Sequence, residues 1–170
     1  MNRLTRGLAA AALCAAVAAP PMTASAQPAT LTDTGYGPYR VGMTLTQARR
    51  AVPGLTGERF DACMEATSPR YPGVFAMFEN NRITRVSLSG NSRVRTAGGI
   101  RVGDTEAAVR ARYGARLRQE RHTYVQSPGK YLTVWTVGRQ RGFRFEIDEH
   151  RIVRTIHAGG ASIRYVEGCL

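Results

Sequence analysis

The sequence predicts an α+β fold: two tandem units of the α-β-β-β type, whose strands form a largely antiparallel sheet with the helices packed on one face. Three observations predict it. The stretch "YRVGMTLTQARR" at Tyr39–Arg50 recurs as "IRVGDTEAAVRA" at Ile100–Ala111. The stretch "GVFAMFENNRITRVSLSG", from Gly73, aligns without a gap with "GFRFEIDEHRIVRTIHAG", from Gly142. In the second of these segments Phe143, Phe145 and Ile147 alternate with Arg144 and Glu146, the mark of a strand buried on one side. Self-similarity of this extent indicates duplicated supersecondary units.

In chain order, residues 1–26 read as a secretory signal peptide. Arg3 and Arg6 precede an apolar run over Leu8–Ala19, Pro20 and Pro21 break it, and Ala24-Ser25-Ala26 offers a small-residue cleavage site. The run is too short to cross a hydrocarbon layer of roughly 30 Å. A periplasmic or secreted location after cleavage near Ala26 is expected, with no transmembrane segment in the mature chain. Cys14 follows Leu13, where a lipid-attachment motif has a small residue, so no lipid anchor is expected. Residues 27–37 read as a flexible N-terminal segment, 38–96 as the first repeat, 97–160 as the second and 161–170 as a C-terminal tail.

Each helix carries its own punctuation. Thr44 and Gln47 have the spacing of a capping box. Asp104 or Thr105 caps the second helix, with Glu106 well placed in its first turn. Ala48 with Val52, and Val109 with Tyr113, give each helix a narrow apolar stripe, and Gly54 and Gly114 mark the ends. In the strands, Val74, Ala76 and Phe78 align with Phe143, Phe145 and Ile147, and this face is assigned to the core. The opposite face carries Phe75 and Met77 in the first unit but Arg144 and Glu146 in the second. Asn80-Asn81 fits a two-residue hairpin turn. Val86 and Leu88 fall out of phase with Ile83, which predicts a bulge near Arg85. Further strands are expected at Phe60–Ala66, His122–Gln126 and Tyr131–Val137, about three strands per unit, with the two sheets joined edge to edge. Ser127-Pro128-Gly129-Lys130 is the expected tip of a longer connection in the second unit.

With Cys14 removed, Cys63 and Cys169 remain. An even count in an oxidising compartment favours a disulfide between them, which would tie the tail to the first unit; two free thiols are the alternative. The chain is strongly basic, with 24 Lys and Arg against 12 Asp and Glu and a formal net charge of +12. Lys130 is the only lysine. This balance fits either a surface that meets an anionic partner or simply an arginine-rich composition; the arginines are scattered, and the sequence leaves both open. No nucleic-acid motif is present.

For catalysis the sequence offers no pattern. His122, His150 and His157 stand apart from other ligand-type residues at metal spacing, and solvated histidines are expected. No nucleophile-elbow, zinc-helix or phosphate-loop motif occurs. Glu146, Asp148 and Glu149 read as a solvated hairpin. No enzyme, cofactor or metal is expected. A binding role has better candidates. Tyr131, Thr133, Trp135 and Val137 share one strand face. If that face points away from the helices, Tyr131 and Trp135 join Phe75, Met77 and Arg144 in an aromatic surface ringed by arginine, the residue types enriched at binding hot spots. If it points inward, Trp135 is core.

The motif "VGMTLTQARRAVPG" resembles the start of the SmpA/OmlA (BamE) family of small periplasmic helix-plus-sheet domains, through Val41, Gly42, Thr44 and Gln47. Two such units in tandem, with a cysteine in the strands of the first, resemble the β-lactamase inhibitory protein fold. The resemblance implies a protein-binding module: outer-membrane assembly in one case, enzyme inhibition in the other. The expectation is therefore an exported, non-enzymatic binding module of the cell envelope that uses an open sheet face, with inhibition of a periplasmic or extracellular hydrolase as the alternative.

Overall fold

The computed structural model describes residues 29–138 and 140–169. The expected signal peptide lies outside the described residues. Among the described residues ten strands and two α-helices follow one another: β1 (Gly35–Tyr36), β2 (Tyr39–Arg40), α1 (Leu45–Ala51), β3 (Thr56–Phe60), β4 (Cys63–Thr67), β5 (Val74–Glu79), β6 (Arg82–Ser89), α2 (Glu106–Tyr113), β7 (Arg118–Arg121), β8 (Lys130–Val137), β9 (Arg141–Ile147) and β10 (Val153–Gly159). The strands β1 and β2 form a small hairpin. The other eight form one antiparallel sheet in the order β3-β4-β5-β6-β10-β9-β8-β7. The fold is α+β with the sheet dominant. No helix among the described residues is long and apolar enough to cross a membrane.

The role of the recurring Val-Gly motif is visible in the backbone. Gly42 and Gly103 adopt φ of 93° and 90°, a region costly for any residue with a Cβ. Each turn lets the chain dock on the hairpin that follows it. The N–H of Gly42 donates to Ile83 O at 2.7 Å, and that of Gly103 to Val153 O at 2.9 Å. The first helical N–H groups continue the pattern, Leu45 donating to Asn81 O and Glu106 to Arg151 O. Thr44 and Gln47 form the full capping box of α1, and Thr105 caps α2 through Ala108 N–H. Asp104 instead accepts from Arg101 N–H at 3.0 Å, closing the preceding turn.

Between the two halves, β6 pairs with β10, Leu88 opposite Ile156 and Val86 opposite Ala158. These residues share a core with Val74, Ala76, Phe78, Phe143, Phe145 and Ile147, and with Ala48, Val52, Val109 and Tyr113 from the helices. Tyr113 meets Phe145 at 5.5 Å between ring centroids. Asn80 and Asn81 both have positive φ, as a two-residue hairpin turn requires. The register slips between Met77 and Phe78, leaving Thr84 as the extra residue of a bulge, and slips again between Val153 and Thr155.

Four expectations need correction. Each half has four strands after its helix, not three. The span Phe60–Ala66 is broken by a turn at Asp61, whose φ is 51°, so it forms the end of β3 and the start of β4. The span His122–Gln126 is a loop, because His122 Nδ1 accepts the N–H groups of Tyr124 and Val125, both at 3.1 Å, and so diverts them from a ladder; β7 lies just before it. Finally, the segment 27–37 is held down from Leu31 onward. Leu31 is fully buried, and its backbone bonds Arg95 O and Ala97 N–H at 2.8 Å each.

One ion cluster fixes α2 in place. Glu106 is buried and accepts from Lys130 Nζ at 3.0 and 3.1 Å, from Arg110 at 2.7 Å and from Arg151 at 3.2 Å. The single lysine thus joins the first turn of α2 to β8. The same carboxylate complements the partial positive charge of the helix start.

Candidate functional site

Period two sends Glu65, Phe75, Met77, Arg85, Ser87, His157, Arg144, Glu146, Tyr131, Thr133 and Trp135 to the sheet face opposite the core. This face is not open. After β10 the chain turns at Gly160, whose N–H donates to Thr84 O at 3.0 Å, and forms a 3-10 turn over Ala161–Arg164. It then runs back over the sheet to Cys169, which is joined to Cys63 on β4. Ile163 is fully buried under this strap. The disulfide expected from the cysteine count is present, with a sequence separation of 106 residues.

Arg85 carries most of the polar attachment. It is 3% exposed and donates to Ser162 O at 3.1 Å, Tyr165 O at 3.2 Å and Glu65 Oε1 at 2.6 Å. Its planar fork suits three acceptors at once. Arg144, from the second half, is also buried. It donates to Glu120 at 2.5 Å and to Thr133 Oγ1 at 3.3 Å, and its guanidinium carbon lies 3.8 Å from the Tyr131 ring centroid. Arg164 of the strap reaches the same Glu120 at 2.9 Å.

The residues expected to form one exposed aromatic surface are therefore divided. Met77, Tyr131 and Arg144 are buried: Arg144 pairs with Glu120, and Tyr131 is packed by the Arg144 guanidinium and by the His122 ring, stacked 4.4 Å away. Phe75 and Trp135 are half-buried at the two margins. Phe75 lines a groove of about 270 Å³ with Ser87, Ser89 and the strap residues Val166 to Gly168. Trp135 lines a groove of about 520 Å³ with Arg118, Gln119, Glu120 and Arg164.

The sequence pattern predicts a solvated His157, yet β10 brings it against an acid and a hydroxyl. His157 is buried rather than solvated, only 6% exposed. Its Nδ1 is 2.8 Å from Ser87 Oγ and its Nε2 is 3.1 Å from Glu146 Oε1. An ionised Glu146 can only accept, which puts the proton on Nε2 and leaves Nδ1 to accept from the Ser87 hydroxyl. The order resembles a hydrolase triad, but acyl transfer also needs donors for a developing oxyanion. Ser87 lies on β6, paired on both sides by β5 and β10, so the ladder uses its neighbouring N–H groups. The arrangement serves as a hydrogen-bonded crosslink between β6, β10 and β9. In the β9–β10 turn, Asp148 likewise works structurally, accepting from His150 N–H, Ile152 N–H and Arg154 at 2.9, 2.8 and 2.5 Å.

Burial, reinforced by the charges of Arg85 and Arg144 and partly opposed by Glu146, holds the His157 pKa below its ordinary value of 6.5. Burial raises Glu106 and Asp148, but hydrogen bonds outweigh it: Lys130 and Arg110 for Glu106, Ile152 N–H and Arg154 for Asp148. Both end below their ordinary values. In all three cases the unfolded chain binds the proton more readily, so stability is full above the unfolded pKa and is lost as pH falls. The melting temperature is expected to begin falling near pH 6.5 as His157 enters its window. It should fall more steeply below about pH 4.5, where the carboxylates enter theirs. Calorimetry from pH 7.5 to 3 checks this. His157→Asn should remove the first decline and keep the second; a first decline retained by that variant would assign it to another group.

Comparison with protein families, curated proteins and solved structures finds no significant match to this chain.

Proposed function

We propose that this chain is an exported, non-enzymatic binding module of the cell envelope, built from two copies of one helix-plus-sheet unit with both helices on the core face. The equivalent docking of Gly42 on Ile83 and of Gly103 on Val153 supports the duplication. The resemblance of Val41-Gly42-Met43-Thr44 to periplasmic assembly modules supports the compartment and the role. The observation that carries the reading is the Trp135 groove. There an aromatic side chain, left half-buried at the strap margin, is bordered by Arg118 and Arg164. Trp and Arg anchor interfaces because they combine large contact area with directed hydrogen bonds.

A pull-down from an envelope extract with graded salt washes tests it. A specific protein partner is expected to survive washes at about 0.5 M salt, where exposed charges are screened within a few ångströms. Trp135→Ala, checked for folding by circular dichroism, should weaken its retention by roughly tenfold or more. Elution of every partner at moderate salt, equally for both proteins, would reduce the binding to general charge attraction.

A further inference from the structure

A cavity of about 820 Å³ lies away from the strap, beside the β1–β2 hairpin. That is the size of a small-molecule site. Its apolar wall comes from Tyr36, Tyr71 and Val94, and its rim from Arg70, Arg93 and Arg95. No carboxylate is among the described residues that line it. Arg95 is partly engaged, donating to Gly99 O at 2.7 Å with Asp104 at 4.0 Å. Arg70 and Arg93 are exposed, and among the described residues neither forms an ion pair.

Both rims are held by a buried serine. On one side, Ser68 Oγ donates to Pro53 O at 2.7 Å and accepts Arg70 N–H at 3.3 Å, while Tyr71 N–H donates to Ser68 O at 3.0 Å. Tyr71 also packs edge-on against the fully buried Tyr39, ring centroids 5.4 Å apart. On the other side, Ser92 Oγ accepts Val94 N–H at 3.4 Å, and Arg95 O accepts from Leu31 N–H. The aromatic wall and the arginine rim are thus set by the scaffold before any ligand arrives, which lowers the ordering cost of binding.

We propose that this cleft binds a small amphipathic anion, one acidic group on an aromatic or aliphatic body. The body lies against Tyr36, Tyr71 and Val94, and the acid meets Arg70 and Arg93. The guanidinium groups of Arg70 and Arg93, with no ion-pair partner among the described residues and no lining carboxylate, favour an anion. An apolar wall between the arginines selects an anion with a body over inorganic phosphate. The site is separate from the Trp135 groove, so either proposal can fail alone.

The test uses two dyes with the same ring system on the mature protein: 8-anilinonaphthalene-1-sulfonate, and N-phenyl-1-naphthylamine, which lacks the charge. Calorimetry is expected to show one sulfonate dye per chain, bound at least tenfold tighter than the neutral dye, with inorganic phosphate weaker still. Amide NMR shifts should centre on Tyr36, Tyr71 and Val94. The double variant Arg70→Gln/Arg93→Gln removes two exposed side chains and should keep the wild-type melting temperature. It should weaken the sulfonate dye roughly tenfold or more and leave the neutral dye unchanged. Trp135→Ala should change neither. Equal affinity for the two dyes, sulfonate binding unaffected by the arginine variant, or shifts spread over several surfaces would each overturn the proposal.

Discussion

Removing the Cys63–Cys169 bridge is expected to lower the unfolding free energy by about 3–5 kcal/mol, a large share of what a domain of this size possesses. The bridge closes a loop with a sequence separation of 106 residues, so the unfolded chain loses much of its freedom when the bond is present. The native strap has other attachments, through Arg85 and the buried Ile163, so it should stay docked without the bond, only less firmly. Guanidinium titration of the Cys63→Ser/Cys169→Ser double variant measures the loss. An unchanged midpoint would mean that the unfolded chain is already as compact as the crosslinked one. Hydrogen exchange adds a local reading: amides of residues 161–168 should exchange faster in the variant, while those of β9 should change only in step with global stability.

Arg85→Ala is expected to cost about 2–4 kcal/mol. Removing one partner of a buried charged network leaves the others unpaired, which commonly costs about 3–5 kcal/mol. Here two things moderate the loss. Glu65 is 43% exposed and can rehydrate, and Arg85 Nε is itself buried without a partner among the described residues. The carbonyls of Ser162 and Tyr165 cannot recover so easily. Arg85→Lys keeps the charge but cannot reach both strap carbonyls and Glu65, so it should fall between wild type and alanine. Glu65→Gln keeps an acceptor for Arg85 but removes the charge facing a guanidinium that is 3% exposed, so it should cost more than a surface pair and less than Arg85→Ala. Combining Arg85→Ala with the cysteine variant should be less than additive, because both changes release the same strap. Strict additivity would show that Arg85 acts on the sheet alone.

The contrast between the two faces explains what the sequence disclosed. The core face was legible because local rules govern it. Period two placed Val74, Ala76 and Phe78 beside Phe143, Phe145 and Ile147, and the caps at Thr44 and Thr105 and the turn at Asn80-Asn81 depend on a few neighbouring residues. The bulge near Arg85 followed from a break in the same alternation. The two cysteines could be paired by number and compartment. The tether of the tail to the first unit was legible through the cysteines, but its path over the sheet was not, since that path depends on Arg85 meeting carbonyls of Ser162 and Tyr165, far along the chain, and no local pattern marks a buried arginine. The same alternation that turned His157 away from the core said nothing about what would cover it. β3 and β7 were missed for a simpler reason: Thr56–Phe60 and Arg118–Arg121 bury little and so show no apolar alternation. The cleft beside the β1–β2 hairpin draws on three separated stretches, around Tyr36, Tyr71 and Val94, none with a motif of its own.

The position of those two poorly patterned strands has a consequence for the behaviour of many copies together. Because β6 and β10 seal the middle of the sheet, its edge strands among the described residues are β3 and β7, where another chain could add on and begin a fibre. If two β3 strands met antiparallel in their central register, Glu58 would face Glu58. If two β7 strands did so, Arg118 would face Arg121. Like charges directly opposite each other oppose such pairing. The least ordered-looking parts of the sequence thus act as the protein's guard against stacking on itself at the high local concentrations of a crowded compartment.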